Sequence, residues 1–212
     1  IIELNQNDEG ASLRVEGNQE IGFQMKRATS RITQKEDILF TNGKKIEKNI
    51  AILENNKIKD LIVENFKQFV FTDPKTGVNV KYNLYIPKNY DKNKKYPLVL
   101  FMHDMGVLSE DTKSTLLQGN GAISFADPEV QKKNEAFVLA PQYSKQVVDD
   151  NGNITNDLEA TVNLIRDHLL LKYNIDNRRI YATGQSMGGM MAIVMNYKYP
   201  ELFAASYLVA CQ

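Results

Sequence analysis

Apolar and polar positions alternate in two different ways along the chain. From residue 1 to about 63, short runs rich in β-branched residues are spaced by polar turns: Ser12 to Val15, Ile21 to Met25, Ile38 to Phe40, Ile50 to Leu53 and Ile58 to Val63. Helical periodicity is missing there. Asn42-Gly43, between Phe40 and Ile46, predicts a two-residue hairpin turn, because a type I′ turn needs positive φ at both central positions, and Asn55-Asn56 predicts a second reversal. The pattern predicts a small antiparallel β segment over 1–63, or strands that extend the sheet of the region after it.

From Phe66 the pattern changes. Phe69 and Phe71 lead into Asp73-Pro74-Lys75-Thr76-Gly77, and Val78, Val80, Tyr82, Leu84 and Ile86 then alternate with polar neighbours, which predicts a half-buried hairpin. Pro97 to Met102 is a continuous apolar run, suited to a parallel strand covered on both faces. Residues 103–135 read as a long link, with Asp127-Pro128-Glu129 opening one short helix. A strand is expected over Ala136 to Ala140, then an acidic, Asn-rich surface loop from Asp149 to Asn156. Asn156-Asp157-Leu158-Glu159 has the form of a capping box, opening a helix whose buried stripe is Leu158, Val162, Ile165 and Leu169. Further strands are expected at Ile180 to Thr183 and Phe203 to Ala210, with a helix between them carrying Met190, Met191, Val194 and Met195 and stopped by Pro200. Strands alternating with helices over 64–212 predict an α/β fold, with a mostly parallel sheet and helices on both faces.

The chemistry concentrates where one of those strands meets its helix, in Gly184-Gln185-Ser186-Met187-Gly188-Gly189. Gly-x-Ser-x-Gly alone is weak, since residue frequencies give about 0.07 chance matches in a chain of this size. The flanks decide. A strand running straight into a helix holds the serine on a sharp, strained turn, and glycines two before and two after it let the two elements pack that closely. Totals narrow the field further. Lys plus Arg and Asp plus Glu number 26 each, so no net field favours nucleic acid or an anionic membrane surface. No apolar run approaches the roughly 20 residues that span a bilayer. Cys211 is the only cysteine, which rules out an internal disulfide and a cysteine-based metal cluster; no metal or cofactor is expected. The opening Ile1-Ile2-Glu3 has neither an initiator methionine nor a signal pattern and reads as a processed product or a piece of a longer chain.

The stretch from Tyr173 to Gly189 resembles the nucleophile region of α/β-hydrolase serine esterases, in particular the carboxylesterases and feruloyl-esterase-like enzymes related to polyhydroxybutyrate depolymerases. Leu84 to Tyr90, Tyr96 to His103 and Phe137 to Gln142 are similar to the same family in order and spacing, so the resemblance spans about residues 66–212. It implies an α/β-hydrolase-type sheet, incomplete at its C-terminal side, behind an immunoglobulin-like module in 1–63. It implies Ser186 as nucleophile, the amides of Met187 and Met105 as the oxyanion hole, Gly184, Gly188 and Gly189 as the glycines of the turn, and His103, Asp104 and Gln185 beside the substrate, with His103 holding the shape of its loop. Gln142, at the carboxyl end of its strand, is expected either to contact the substrate or to cap a loop with its amide. It implies a small-molecule or carbohydrate-linked ester as substrate, and a secreted protein.

Two features depart from the family. Asp104 stands where glycine is usual, and an acid beside a developing oxyanion repels it unless its side chain turns away. The triad order is Ser, then acid, then His, yet after Ser186 only Glu201 is acidic and no histidine follows; the only histidines are His103 and His168. The acid and the base are therefore expected beyond residue 212, with little activity from these 212 residues alone and an apolar sheet edge to be covered by that further chain or by another copy. A non-catalytic binding module and a prolyl-oligopeptidase-like peptidase share the same turn and remain open.

Overall fold

The computed structural model describes residues 61–211 throughout and, of residues 1–60, the backbone of five strands. The chain divides into two compact units, Ile1–Leu61 and Ile62–Gln212. In the first, β1 (Ile2–Asn7), β2 (Gly10–Val15) and β3 (Gln19–Phe23) form an antiparallel meander. β4 (Ile38–Leu39) and β5 (Lys45–Ile46) pair antiparallel as a separate ribbon. A hairpin pairs across the predicted reversal, but with Leu39 opposite Lys45, where a two-residue turn at Asn42-Gly43 puts Leu39 opposite Ile46; the turn itself, Asn55-Asn56 and the run Ile50 to Leu53 lie outside the described residues. Residues 61–64 are helical, which corrects the strand expected over Ile58 to Val63 at its last three residues; the first three lie outside the described residues. Ile62 and Val63 lie buried in one cluster with Phe66 and Tyr85, so the apolar pair follows a helical face rather than an alternating one.

The second unit is built on a six-stranded sheet: β6 (Phe66–Thr72), β7 (Asn79–Tyr85), β8 (Tyr96–Met102), β9 (Phe137–Gln142), β10 (Ile175–Gln185) and β11 (Ala205–Val209), in the spatial order β11-β10-β8-β9-β7-β6. β7 runs antiparallel to both neighbours and the other pairs are parallel, so five strands point the same way. β8 and β9, the apolar runs, are the most deeply buried strands. The β6–β7 hairpin closes on Asp73. Burial pushes its carboxyl up, but hydrogen bonds from Thr76, from Asn163 and from the Lys75 and Thr76 N–H groups outweigh that and hold its pKa below the ordinary aspartate value.

The link after β8 is more structured than its glycines suggest. It holds a 3₁₀ turn at Met105–Val107, α1 (Ser114–Leu117), α2 (Gly121–Phe125) and the expected α3 (Pro128–Lys133), capped by the Asp127 carboxylate on the Glu129 and Val130 N–H groups. Leu116, Ala122 and Ile123 bury against Phe101, Val138 and Ala140, so packing on the sheet stabilises helices too short to persist alone. α4 (Asn156–Asn163) continues through a π-helical stretch, Leu164–Leu169, into α5 (Leu170–Lys172). The predicted stripe of Leu158, Val162, Ile165 and Leu169 is buried, but the capping box does not form. Thr155 occupies the cap position, and its hydroxyl bonds Asp157 instead of a backbone amide. α6 (Met187–Lys198) follows β10 with Ser186 as its cap residue.

Candidate active site

β8, β9 and β10 are parallel, so their carboxyl ends open onto the same end of the sheet, and the chain's candidate chemistry lies there. β10 ends at Gln185, α6 begins at Met187, and Ser186 between them has φ 50° and ψ −115°. This backbone conformation is costly for any residue with a side chain, by about 1–3 kcal/mol. It persists because the flanking contacts determine it. A Cβ on Gly188 would lie 2.0 Å from the Met102 carbonyl oxygen at the end of β8, and one on Gly184 would lie 2.4 Å from the Gly188 carbonyl carbon. A Cβ on Gly189 would meet the Cys211 side chain at 2.7 Å. The Ser186 N–H donates to the Val209 carbonyl at 2.9 Å, tying the turn to β11. The Ser186 side chain is partly exposed and its hydroxyl has no hydrogen-bond partner among the described residues.

Met187 opens α6 and Met105 opens the 3₁₀ turn after β8, and neither N–H has an acceptor among the described residues. The α6 amide also carries the positive end of the helix dipole. Met105 has an exposed side chain, whereas those of Met102, Met187, Met191 and Met195 fill the core. The Asp104 carboxylate does not accept from the Met105 N–H. One oxygen accepts from the Gly106 N–H at 2.6 Å, and the other accepts from the side-chain amides of Gln118 and, at 3.2 Å, Gln185.

His103 and Gln142 are both buried, and their hydrogen bonds run to the loop after β8. The imidazole is fully buried: Nδ1 donates to the Asp104 carbonyl at 2.6 Å, and Nε2 accepts from the Tyr143 N–H at 3.0 Å, which fixes the neutral Nδ1–H tautomer. Burial pushes its pKa below the ordinary histidine value despite the opposing pull of Asp104. Gln142 is buried too. Its carbonyl accepts from the Thr115 N–H at 2.7 Å, and its amide donates to the Val107 and Tyr143 carbonyls at 2.8 and 3.0 Å. A side chain with both ends engaged in this way braces the loop. Gln118, Thr115 and Tyr143, which complete these contacts, carry no signal in the sequence, because each reaches the site only through the fold of the link.

The other groups that might have served Ser186 are engaged elsewhere. His168 packs on Phe71, and Glu201 pairs with Arg166. Among the described residues no three or more His, Cys, Asp and Glu side chains gather as a metal site, and no helix is long and apolar enough to cross a membrane.

This architecture, a strand–serine–helix turn on a mostly parallel sheet with one antiparallel strand, defines the α/β-hydrolase class. The family model for esterases, described as "Putative esterase", matches residues 74–211, and the chain belongs to that family. Acetylxylan esterase A of Aspergillus ficuum is 29% identical over 140 residues, covering 64% of this chain and 43% of the relative. A solved structure of a thermostable esterase is similar over 97% of this chain and 52% of its own, with 31% identity and a TM-score of 0.65. A ferulic acid esterase structure, 20% identical with a TM-score of 0.50, shares the fold over 67% of this chain and 58% of its own. The chain thus spans about half the length of these relatives.

Proposed function

We propose that the chain carries the nucleophile half of a serine carboxylic-ester hydrolase. The observation that carries this reading is Ser186, held at φ 50° between two glycines that admit no Cβ, its hydroxyl without a hydrogen-bond partner among the described residues. Ser186 Oγ attacks the ester carbonyl, and its proton passes to a histidine supplied by chain beyond Gln212. The Met187 and Met105 N–H groups donate to the developing oxyanion, each worth about 3 kcal/mol of barrier. The alcohol leaves with the proton, and water then releases the acid from the acyl-enzyme. Placing the base and its acid beyond Gln212 rests on the engagement of His103, His168 and Glu201 elsewhere and on the greater length of the relatives. The acetylxylan esterase relative favours a short acyl group on a carbohydrate-linked or small-molecule alcohol.

A fluorophosphonate probe on the full-length protein is expected to modify Ser186, with turnover of p-nitrophenyl acetate in parallel and Ser186→Ala negative in both. An unlabelled, inert full-length protein would favour the non-catalytic binding reading. Preference for aminoacyl-peptide over ester substrates would favour the peptidase reading. The 212-residue chain alone is expected to show little or no turnover.

A further inference from the structure

We infer that Asp104, with Gln118 and Gln185, forms a clasp that positions the Met105 amide toward Ser186; as an account of activity this rests on the esterase reading above. Three segments distant in sequence meet on one carboxylate: the turn after β8, the end of α1, and the last residue before the serine. The 3₁₀ turn bearing Met105 is only three residues long; Val107 anchors its far end in the core, while Met105 and Gly106 at the near end are exposed. What holds the near end is polar. The Asp104 carboxylate caps the turn through the Gly106 N–H, the Asp104 N–H donates to the Gln118 carbonyl at 3.3 Å, and the imidazole of His103 grips the Asp104 carbonyl from below.

An ionised carboxylate accepts at both oxygens, and bonds to it are roughly twice as strong as neutral ones, which matters at a site open to water. Its two oxygens accept from the Gly106 N–H and from the Gln118 and Gln185 amides, and not from the Met105 N–H. Asp104 thus stiffens the turn without occupying the Met105 amide. Asp104 is a positioning residue, acting through the geometry of Met105, and Gln185 is the point where the clasp grips the serine's own strand.

Asp104→Asn tests this, because it replaces one acceptor oxygen with a donor that opposes the Gln118 and Gln185 amides. In the full-length protein it is expected to lower kcat for p-nitrophenyl acetate about tenfold with little change in KM, since the lost contact bears on the transition state. Adding Gln185→Glu, which supplies an acceptor to the new amide, is expected to recover most of that loss. Hydrogen–deuterium exchange over residues 103–108 reads the clasp without activity, and Asp104→Asn is expected to speed it several-fold. Unchanged exchange overturns the clasp whether or not the protein hydrolyses esters. Faster exchange with unchanged kcat overturns the positioning role. Faster exchange in a protein whose wild type is inert supports the clasp and sinks the esterase reading alone.

Discussion

The imidazole of His103 is enclosed with both ring nitrogens occupied, and burial holds its pKa below the ordinary 6.5. An unfolded chain therefore takes up this proton first as the pH falls. Its contribution to stability is complete above about pH 6.5 and declines below that until the folded histidine itself titrates, with a slope of at most about 1.4 kcal/mol per pH unit. Urea unfolding between pH 7.5 and 5.5 should show this slope, and His103→Asn should reduce it to the share left by His168, whose pKa burial also lowers. At this scale the sequence marks a residue without stating its work. His103 stands out as one of two histidines at the end of a predicted strand, yet only the backbone of Tyr143, forty residues away, shows that it is an acceptor inside the loop. Gln142 is the same case. Its position at a strand's carboxyl end left a substrate contact and a loop-capping amide both open, and the carbonyl of Val107 and the amide of Thr115 show a brace.

At the scale of elements, the union of β10 and α6 depends on how closely α6 approaches β8. Gly188→Ala would place a methyl 2.0 Å from the Met102 carbonyl oxygen, and backbone cannot yield as a side-chain tip can. The expected cost is about 3 kcal/mol, the upper end for overpacking, seen as a lower denaturation midpoint together with loss of fluorophosphonate labelling at Ser186. This turn was legible in the sequence because its constraint is local: glycines two before and two after a serine, with an apolar run on each side. The strands β7, β8 and β10 were legible for the same reason, as was the buried stripe of α4. The helices α1 and α2 were not, since their four or five residues are held by Phe101, Val138 and Ala140 of strands before and after them. The capping box at Asn156 failed because Thr155 takes the cap position and the Asp157 carboxylate draws its hydroxyl away.

At the scale of the second unit, the sheet is lopsided in its exposure. β9 is buried along its whole length, while β11 at one edge leaves Tyr207 73% and Leu208 40% exposed. An unpaired apolar edge templates further strands. The 212-residue chain is expected to self-associate as its concentration rises, and Leu208→Lys to shift sedimentation toward monomer without altering the circular dichroism spectrum. The sequence by itself determined the strands β7, β8, β9 and β10, the helices α3, α4 and α6, the alternation that makes a mostly parallel sheet, and the sharp turn at Ser186. These follow from periodicity and from glycine's missing Cβ, both properties of neighbours along the chain. The tertiary structure alone decided that the Asp104 carboxylate accepts from Gly106 and not from the Met105 amide, that Gln118 and Gln185 meet on it, and that His103 and Gln142 are internal. Those facts depend on which distant donors and acceptors the fold brings within about 3 Å, the range over which hydrogen bonds act.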